Sequence, residues 1–103
     1  MTEIRVCSTD EVRDGSALAV NIAGTRVCVV QVGGEWFAIG DVCSHADFAL
    51  SDGEVWADDC EIECPKHGSL FSLRTGLPQT LPATTPVPVF SIRIDGNDVM
   101  VDA

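Results

Sequence analysis

Two short segments of the chain each place a cysteine close to a histidine. Cys43 and His45 stand two residues apart in "DVCSHAD", and Cys64 and His67 stand three apart in "CPKHGS". Together the two pairs use both histidines of the chain. Thiolate and imidazole ligands suit zinc or an iron–sulfur centre better than calcium or magnesium, which prefer oxygen. The pattern therefore predicts one metal centre built from two loops.

The mixed content of each loop favours an iron–sulfur cluster over zinc. Zinc fingers commonly take two cysteines from one loop and two histidines from another, whereas here each loop supplies one of each. A two-iron centre with unlike ends requires this mixture, because each loop then gives a thiolate to one iron and an imidazole to the other. That is the arrangement of a Rieske [2Fe–2S] cluster. A structural zinc site in a module that mediates protein contacts is the alternative.

These motifs, followed by "RTGLP" and "LPATTPVPVF", resemble those of the Rieske-type ferredoxins that serve bacterial non-haem iron oxygenases. The resemblance covers nearly the whole chain. It implies that Cys43 and Cys64 hold a buried iron as thiolates, and that His45 and His67 hold an outer iron through ring nitrogens at the surface. These four residues are the predicted ligands of one [2Fe–2S] cluster, and no catalytic residue is predicted.

The resemblance also implies a fold. We expect an all-β Rieske fold, with three antiparallel sheets forming a sandwich or small barrel and the cluster at the tip of a loop subdomain. The chain would be a single Rieske domain over residues 1–103. Its cluster-binding loops would span about residues 41–48 and 64–71, and a proline loop at about 78–86, containing Pro82, would cover the cluster.

Residues around the cluster-binding loops indicate a low reduction potential. The pattern of respiratory Rieske proteins has an extra cysteine in each loop, and a disulfide joins the two. The matching positions here are Phe48 and Lys66. Those proteins also use a serine and a tyrosine whose hydroxyls bond to sulfur; this chain keeps Ser69 but has Phe71 in place of the tyrosine. We expect a potential at the low end of the Rieske range of roughly −150 to +300 mV. Lys66 either tunes the cluster, assists docking, or is a solvated side chain.

The resemblance implies a one-electron carrier that is not itself an enzyme. It would accept electrons from a flavin-containing, NAD(P)H-dependent reductase and pass them to a terminal oxygenase in aromatic hydrocarbon catabolism. It would bind no small-molecule substrate, and the chain is too short to contain the oxygenase's own catalytic domain. Similar small Rieske proteins accompany iron–sulfur cluster assembly or form the small subunit of nitrite reductase, and the sequence leaves that alternative open.

Charge points to protein partners. Six basic and sixteen acidic residues give a formal net charge of −10, which argues against nucleic acid and anionic membranes. Between the two ligand pairs the chain has acids and no base. These acids either steer the histidine tip toward basic surfaces of the reductase and oxygenase or form a solvated face. They are Asp47, Asp52, Glu54, Asp58, Asp59, Glu61 and Glu63.

The elements that must hold these loops are predicted to be short strands. The segments "ALAVNI", "RVCVVQV", "EWFAI", "VFSIRI" and "DVMVD" are apolar or alternate with period two, which is typical of antiparallel strands. Gly33 and Gly34 indicate a two-residue hairpin turn. Ser8 or Thr9 is expected to cap one short helical turn. Between residues 40 and 88 the period disappears, so we expect loops there.

The cysteines and the N-terminus bear on the compartment. Five cysteines cannot all pair, and the N-terminus shows no signal peptide. No run of about 18 apolar residues is present. We therefore expect a soluble cytoplasmic protein with reduced thiols, in which Cys7 and Cys28 lie in the core and Cys60 stands outside the ligand set.

Overall fold

The computed structural model describes residues 3–43, 48–66, 68–81 and 83–102, and strands dominate it. The strands are β1 (Glu3–Ser8), β2 (Ser16–Ile22), β3 (Thr25–Val32), β4 (Glu35–Gly40), β5 (Val55–Trp56), β6 (Glu61–Glu63), β7 (Leu70–Ser72), β8 (Val89–Asp95) and β9 (Asp98–Asp102). Two single-turn 3₁₀ helices occupy Thr9–Glu11 and Leu50–Asp52. The predicted all-β class is confirmed. Within the described ranges, neither helix has the length or apolarity to cross a membrane.

The strands form two antiparallel sheets. The large sheet has the order β1-β9-β8-β4-β3-β2, and the small sheet has the order β5-β6-β7. The edge strands β1 and β2 also contact each other, so the large sheet nearly closes into a barrel. The structure has two sheets rather than the expected three, because β8 joins the two halves of the large sheet. Phe90 of β8 pairs with Ala38 of β4, and Ile92 of β8 pairs with Val101 of β9.

Tight turns join the strands where the sequence predicts them. Gly33 and Gly34, between β3 and β4, have φ values of 58° and 84°, which a type I′ turn requires and glycine adopts without strain. The predicted helical turn is also present, and its start is fixed by a hydrogen bond of 2.6 Å from the Ser8 N–H to the Glu11 carboxylate. Both predictions are confirmed.

Strand β3 separates two apolar cores. Val27 and Val29 belong to the core that includes Val99 and Val101, whereas Cys28 and Val30 belong to a second core. Successive side chains of a strand point to opposite faces, which explains this division. The second core continues into the small sheet and carries the cysteines of the predicted metal centre.

The segment between β4 and β8 is less irregular than predicted. It was expected to consist of loops, but it contains β5, β6 and β7. These strands are two or three residues long, which is too short for a period-two pattern to be visible in the sequence.

Candidate metal centre

Cys64 closes the tip of the hairpin formed by β6 and β7. Glu63, the last residue of β6, pairs with Leu70, the first residue of β7. The Cys64 N–H then donates a hydrogen bond of 2.8 Å to the Ser69 carbonyl, and the Gly68 N–H returns one of 3.0 Å to the Cys64 carbonyl. Pro65, Lys66 and Gly68 therefore lie in a turn closed by Cys64.

Cys43 closes a second hairpin-like loop in the same way. Val42 pairs with Ala49 in an antiparallel bridge, and the Cys43 N–H donates a hydrogen bond of 2.9 Å to the Phe48 carbonyl. In both loops a cysteine N–H thus bonds to the carbonyl five residues further along the chain. The backbone around Cys43 and around Cys64 is equivalent in this respect, as a site with two facing loops would need.

Both cysteine side chains are buried in one apolar core. Cys43 is 3% exposed and Cys64 is fully buried. They share this core with Leu50, Ile62 and Phe71. Two thiols at the ends of two loops, on the apolar side of the site, match the chemistry expected for the inner iron of a two-iron cluster.

The two predicted imidazole ligands lie outside the described residues. In sequence, His45 falls between Cys43 and Phe48, and His67 follows Cys64 by three residues. Pro82 and Asp47 lie outside the described ranges as well. The part of the chain that is described has no group of three His, Cys, Asp or Glu side chains suited to a metal ion. The four-ligand set therefore stays a prediction.

Ser69 joins the second loop to the segment predicted as the proline loop. Its side chain is fully buried, and its hydroxyl oxygen accepts a hydrogen bond of 3.2 Å from the Ala83 N–H. Leu70 adds two bonds: its N–H donates to the Thr80 hydroxyl at 2.9 Å, and its carbonyl accepts from the Gln79 N–H at 2.6 Å. The described residues of that segment are thereby fixed against the hairpin that ends in Cys64.

Phe71 is predicted to stand where respiratory Rieske proteins have a tyrosine. Its ring is fully buried, and the residue pairs with Ile62 across β6 and β7. The ring packs in the core that contains both site cysteines. A phenyl ring fills this space but brings no hydroxyl donor to the site.

A buried carboxylate supports the first loop, and the sequence analysis did not identify it. Asp41, two residues before Cys43, is fully buried. One carboxylate oxygen accepts a hydrogen bond of 2.8 Å from the Ser51 N–H, and the other accepts one of 3.1 Å from the Arg26 guanidinium. Asp41 thus connects the start of the first loop to Ser51, which follows that loop, and to Arg26 of β3. Its place directly after an apolar strand and two residues before the predicted ligand Cys43 is the only signal in the sequence.

The remaining cysteines are thiols outside this site. Cys7 is 3% exposed and Cys28 is fully buried, which confirms the prediction that both lie in the core. Burial raises the pKa of the Cys7, Cys28 and Cys60 thiols, and the Asp41 carboxylate adds to the effect at Cys28. Cys60 is half-buried in the turn before β6. All five cysteines are in the described ranges, and no disulfide joins any of them.

The acidic segment lies on the small sheet and the turns beside it. Glu54, Asp58 and Asp59 are exposed. The carboxylate of Glu63 accepts a hydrogen bond of 2.9 Å from the indole N–H of Trp56, whose side chain is 43% exposed. An exposed aromatic ring bonded to one carboxylate, with three exposed acids close to it in the chain, forms an acidic face with some apolar area.

Comparisons with known proteins find relatives of this chain. The model of the Rieske [2Fe-2S] domain matches residues 2–91. The chain is 39% identical over 102 residues to the ferredoxin component of biphenyl 2,3-dioxygenase from Rhodococcus jostii (strain RHA1), covering 99% of this chain and 94% of that protein.

Solved structures are similar throughout the chain. The ferredoxin of carbazole 1,9a-dioxygenase from Nocardioides aromaticivorans IC177 superposes with a TM-score of 0.94 at 38% identity, covering 98% of this chain and 97% of that one. A chain in a complex of reduced oxygenase and oxidised ferredoxin of carbazole 1,9a-dioxygenase gives a TM-score of 0.88 at 34% identity, covering 96% and 91%.

Proposed function

Since this chain belongs to the Rieske [2Fe–2S] domain family, we propose that it is the ferredoxin of a multicomponent aromatic-ring oxygenase system. Its cofactor is one Rieske-type [2Fe–2S] cluster, which takes up and releases one electron. The observation that carries the proposal is similarity over essentially the full chain to ferredoxin components of dioxygenases. The protein is an electron-transfer component and not the catalyst of the oxygenation.

The cluster ligands are Cys43 and Cys64 as thiolates at the inner iron and His45 and His67 at the outer iron. The equivalent backbone bonds of the two loops and the burial of both cysteines in one core support this assignment. The donor set also fits, because a Rieske centre needs two thiolates and two imidazoles. The whole chain, residues 1–103, is one domain with its ligand loops at about 41–48 and 64–71.

The partners are a terminal oxygenase, which receives the electron, and a flavin-containing reductase, which supplies it. The complex of oxygenase and ferredoxin in a relative 34% identical to this chain supports the first partner. The exposed carboxylates Glu54, Asp58 and Asp59 support docking to basic protein surfaces. The dioxygenase ferredoxins among the relatives favour this system over cluster assembly or nitrite reduction.

A reconstituted system tests this function. The oxygenase and reductase of a biphenyl 2,3-dioxygenase system would be supplied with NADH and biphenyl, and this protein would replace the resident ferredoxin. We expect NADH oxidation coupled to formation of hydroxylated product, and neither without this protein. The proposed role is wrong if the reductase reduces the cluster-containing protein but the reduced protein passes no electron to any tested aromatic-ring oxygenase.

A further inference from the structure

One side-chain contact connects the two ligand loops. The ammonium nitrogen of Lys66 lies 5.3 Å from the centroid of the Phe48 ring. A cation within about 6 Å of a ring centroid is attracted to the negative face of the ring. Phe48 ends the loop that begins at Cys43, and Lys66 lies in the turn closed by Cys64. We propose that this cation–π contact, the cross-loop contact, holds the two loops together and slows the loss of the cluster.

The backbone anchors both partners at the site. The carbonyl of Phe48 accepts the hydrogen bond from the Cys43 N–H, and Lys66 lies inside the turn closed by the bond between Cys64 and Ser69. A force between the two side chains therefore acts directly on the two backbone segments that carry the cysteines. Separation of the loops would require the contact to break.

Within the described ranges, neither side chain has another structural role. The Phe48 ring is 41% exposed and belongs to neither apolar core. Lys66 is exposed, and it forms no ion pair with any carboxylate of the described residues, although the acidic segment supplies many. Among the described residues, the side chain of Lys66 thus contacts an aromatic ring rather than a carboxylate.

The inference rests on the ligand assignment of the proposed function, and four variants test it. They are Lys66→Met, Lys66→Arg, Phe48→Leu and the double variant of Lys66→Met with Phe48→Leu. The cluster-containing proteins are mixed with an excess of EDTA, and the loss of visible cluster absorbance gives the rate of cluster release. The reduction potential of each variant is measured by voltammetry. Arg74→Met is the control, because Arg74 lies 5.3 Å from the Phe37 ring, outside the ligand loops. This change also removes the exposed ion pair of Arg74 with Glu35, and such pairs contribute little to stability.

An exposed cation–π contact of ordinary strength predicts that Lys66→Met and Phe48→Leu each release the cluster about 2- to 5-fold faster. The double variant should be no faster than the faster single variant, because either change already removes the contact. Lys66→Arg should behave like the wild type, since arginine also binds aromatic faces. Arg74→Met should leave the release rate unchanged.

The potential separates this role from a simple charge effect. Loss of the Lys66 charge lowers the potential in Lys66→Met, whereas Phe48→Leu removes no charge and should leave it unchanged. Release rates that multiply in the double variant, or an unchanged rate in Phe48→Leu, would overturn the cross-loop contact. If the wild-type protein itself gives no Rieske EPR signal, the ligand assignment fails instead, so the two failures are distinguishable.

Discussion

The buried hydroxyl oxygen of Ser69 accepts a hydrogen bond from the Ala83 N–H at 3.2 Å. A serine hydroxyl can accept and donate at the same time, so this bond leaves the hydroxyl proton of Ser69 available. Ser69 is also the residue whose carbonyl closes the turn at Cys64. One side chain can therefore fix the proline-containing segment and still donate a hydrogen bond toward the cluster.

Replacement of Ser69 tests the second of these roles. A hydroxyl that donates to a cluster sulfur stabilises the reduced, more negative state, so Ser69→Ala should lower the reduction potential. A hydrogen bond of about 0.5–1.5 kcal/mol corresponds to a decrease of roughly 20–60 mV for a one-electron couple. Voltammetry measures the change, with Ser91→Ala on β8 as the control. An unchanged potential would mean that Ser69 only positions Ala83.

The carboxylate of Asp41 should contribute strongly to stability. Asp41→Ala removes the buried carboxylate that accepts hydrogen bonds from the Ser51 N–H and the Arg26 guanidinium, and loss of such an acceptor costs about 1–3 kcal/mol. The free energy of unfolding, from urea titration of the cluster-containing protein, should fall by that amount. Asp98→Ala is the control, because Asp98 and its partner Arg5 are about half exposed and such pairs contribute little. Equal effects of the two variants would contradict a special role for Asp41.

Gly53 is predicted to be essential for the second loop because of a close approach. A Cβ atom at this position would lie 1.6 Å from the carbonyl oxygen of Glu63, the residue before Cys64. The φ of Gly53 is −87°, which alanine adopts freely, so the steric overlap is the whole cost. Gly53→Ala should displace Glu63 and lower the iron bound per chain to below about half, as overpacking forces backbone shifts.

Gly34→Ala is the control for that measurement. Gly34 has a φ of 84° and no atom within 4 Å of an added Cβ, so the substitution introduces backbone strain without a steric overlap. It costs roughly 1–2 kcal/mol of stability but should leave the iron content unchanged. Full iron content in Gly53→Ala would show that the loop tolerates the displacement.

The acidic face should govern the speed of electron transfer. The double variant of Asp58→Asn and Asp59→Asn should slow reduction by the reductase roughly 2- to 10-fold at low salt, because attraction to a basic surface accelerates association. The effect should shrink as salt shortens the screening length to about 8 Å near physiological ionic strength. A double variant of Asp10→Asn and Asp95→Asn changes the net charge equally at other positions. Equal slowing by both would indicate a net-charge effect rather than docking at this face.

Local signals made much of the fold predictable, and they carry the prediction of the metal ligands. The Gly33–Gly34 turn needs only positive φ at two adjacent residues. Strand β3, which precedes the turn, is visible in the sequence as a run of mostly apolar residues. The cysteine-histidine spacing likewise lies within single loops. Each of these features depends on residues close together in the chain. The residue types and the period of the apolar residues are therefore sufficient to predict it.

Contacts between distant segments were not predictable. Asp41 is bonded to Arg26 and Ser51, which are 15 and 10 residues away in the chain, and nothing in the sequence pairs them. The contact of Lys66 with Phe48 likewise requires two loops to face each other. Such contacts depend on tertiary packing, which period and spacing do not encode.

Pulsed EPR of the dithionite-reduced protein tests the central claim, ligation of the cluster by Cys43, His45, Cys64 and His67, most directly. Two directly bound imidazoles predict couplings from two nitrogen nuclei in the wild type and from one in His67→Cys. That variant should also have a lower potential, because a thiolate replaces a neutral ligand at the outer iron. A reduced cluster without strong nitrogen couplings, two couplings retained in His67→Cys, or a colourless protein containing one zinc would contradict the account.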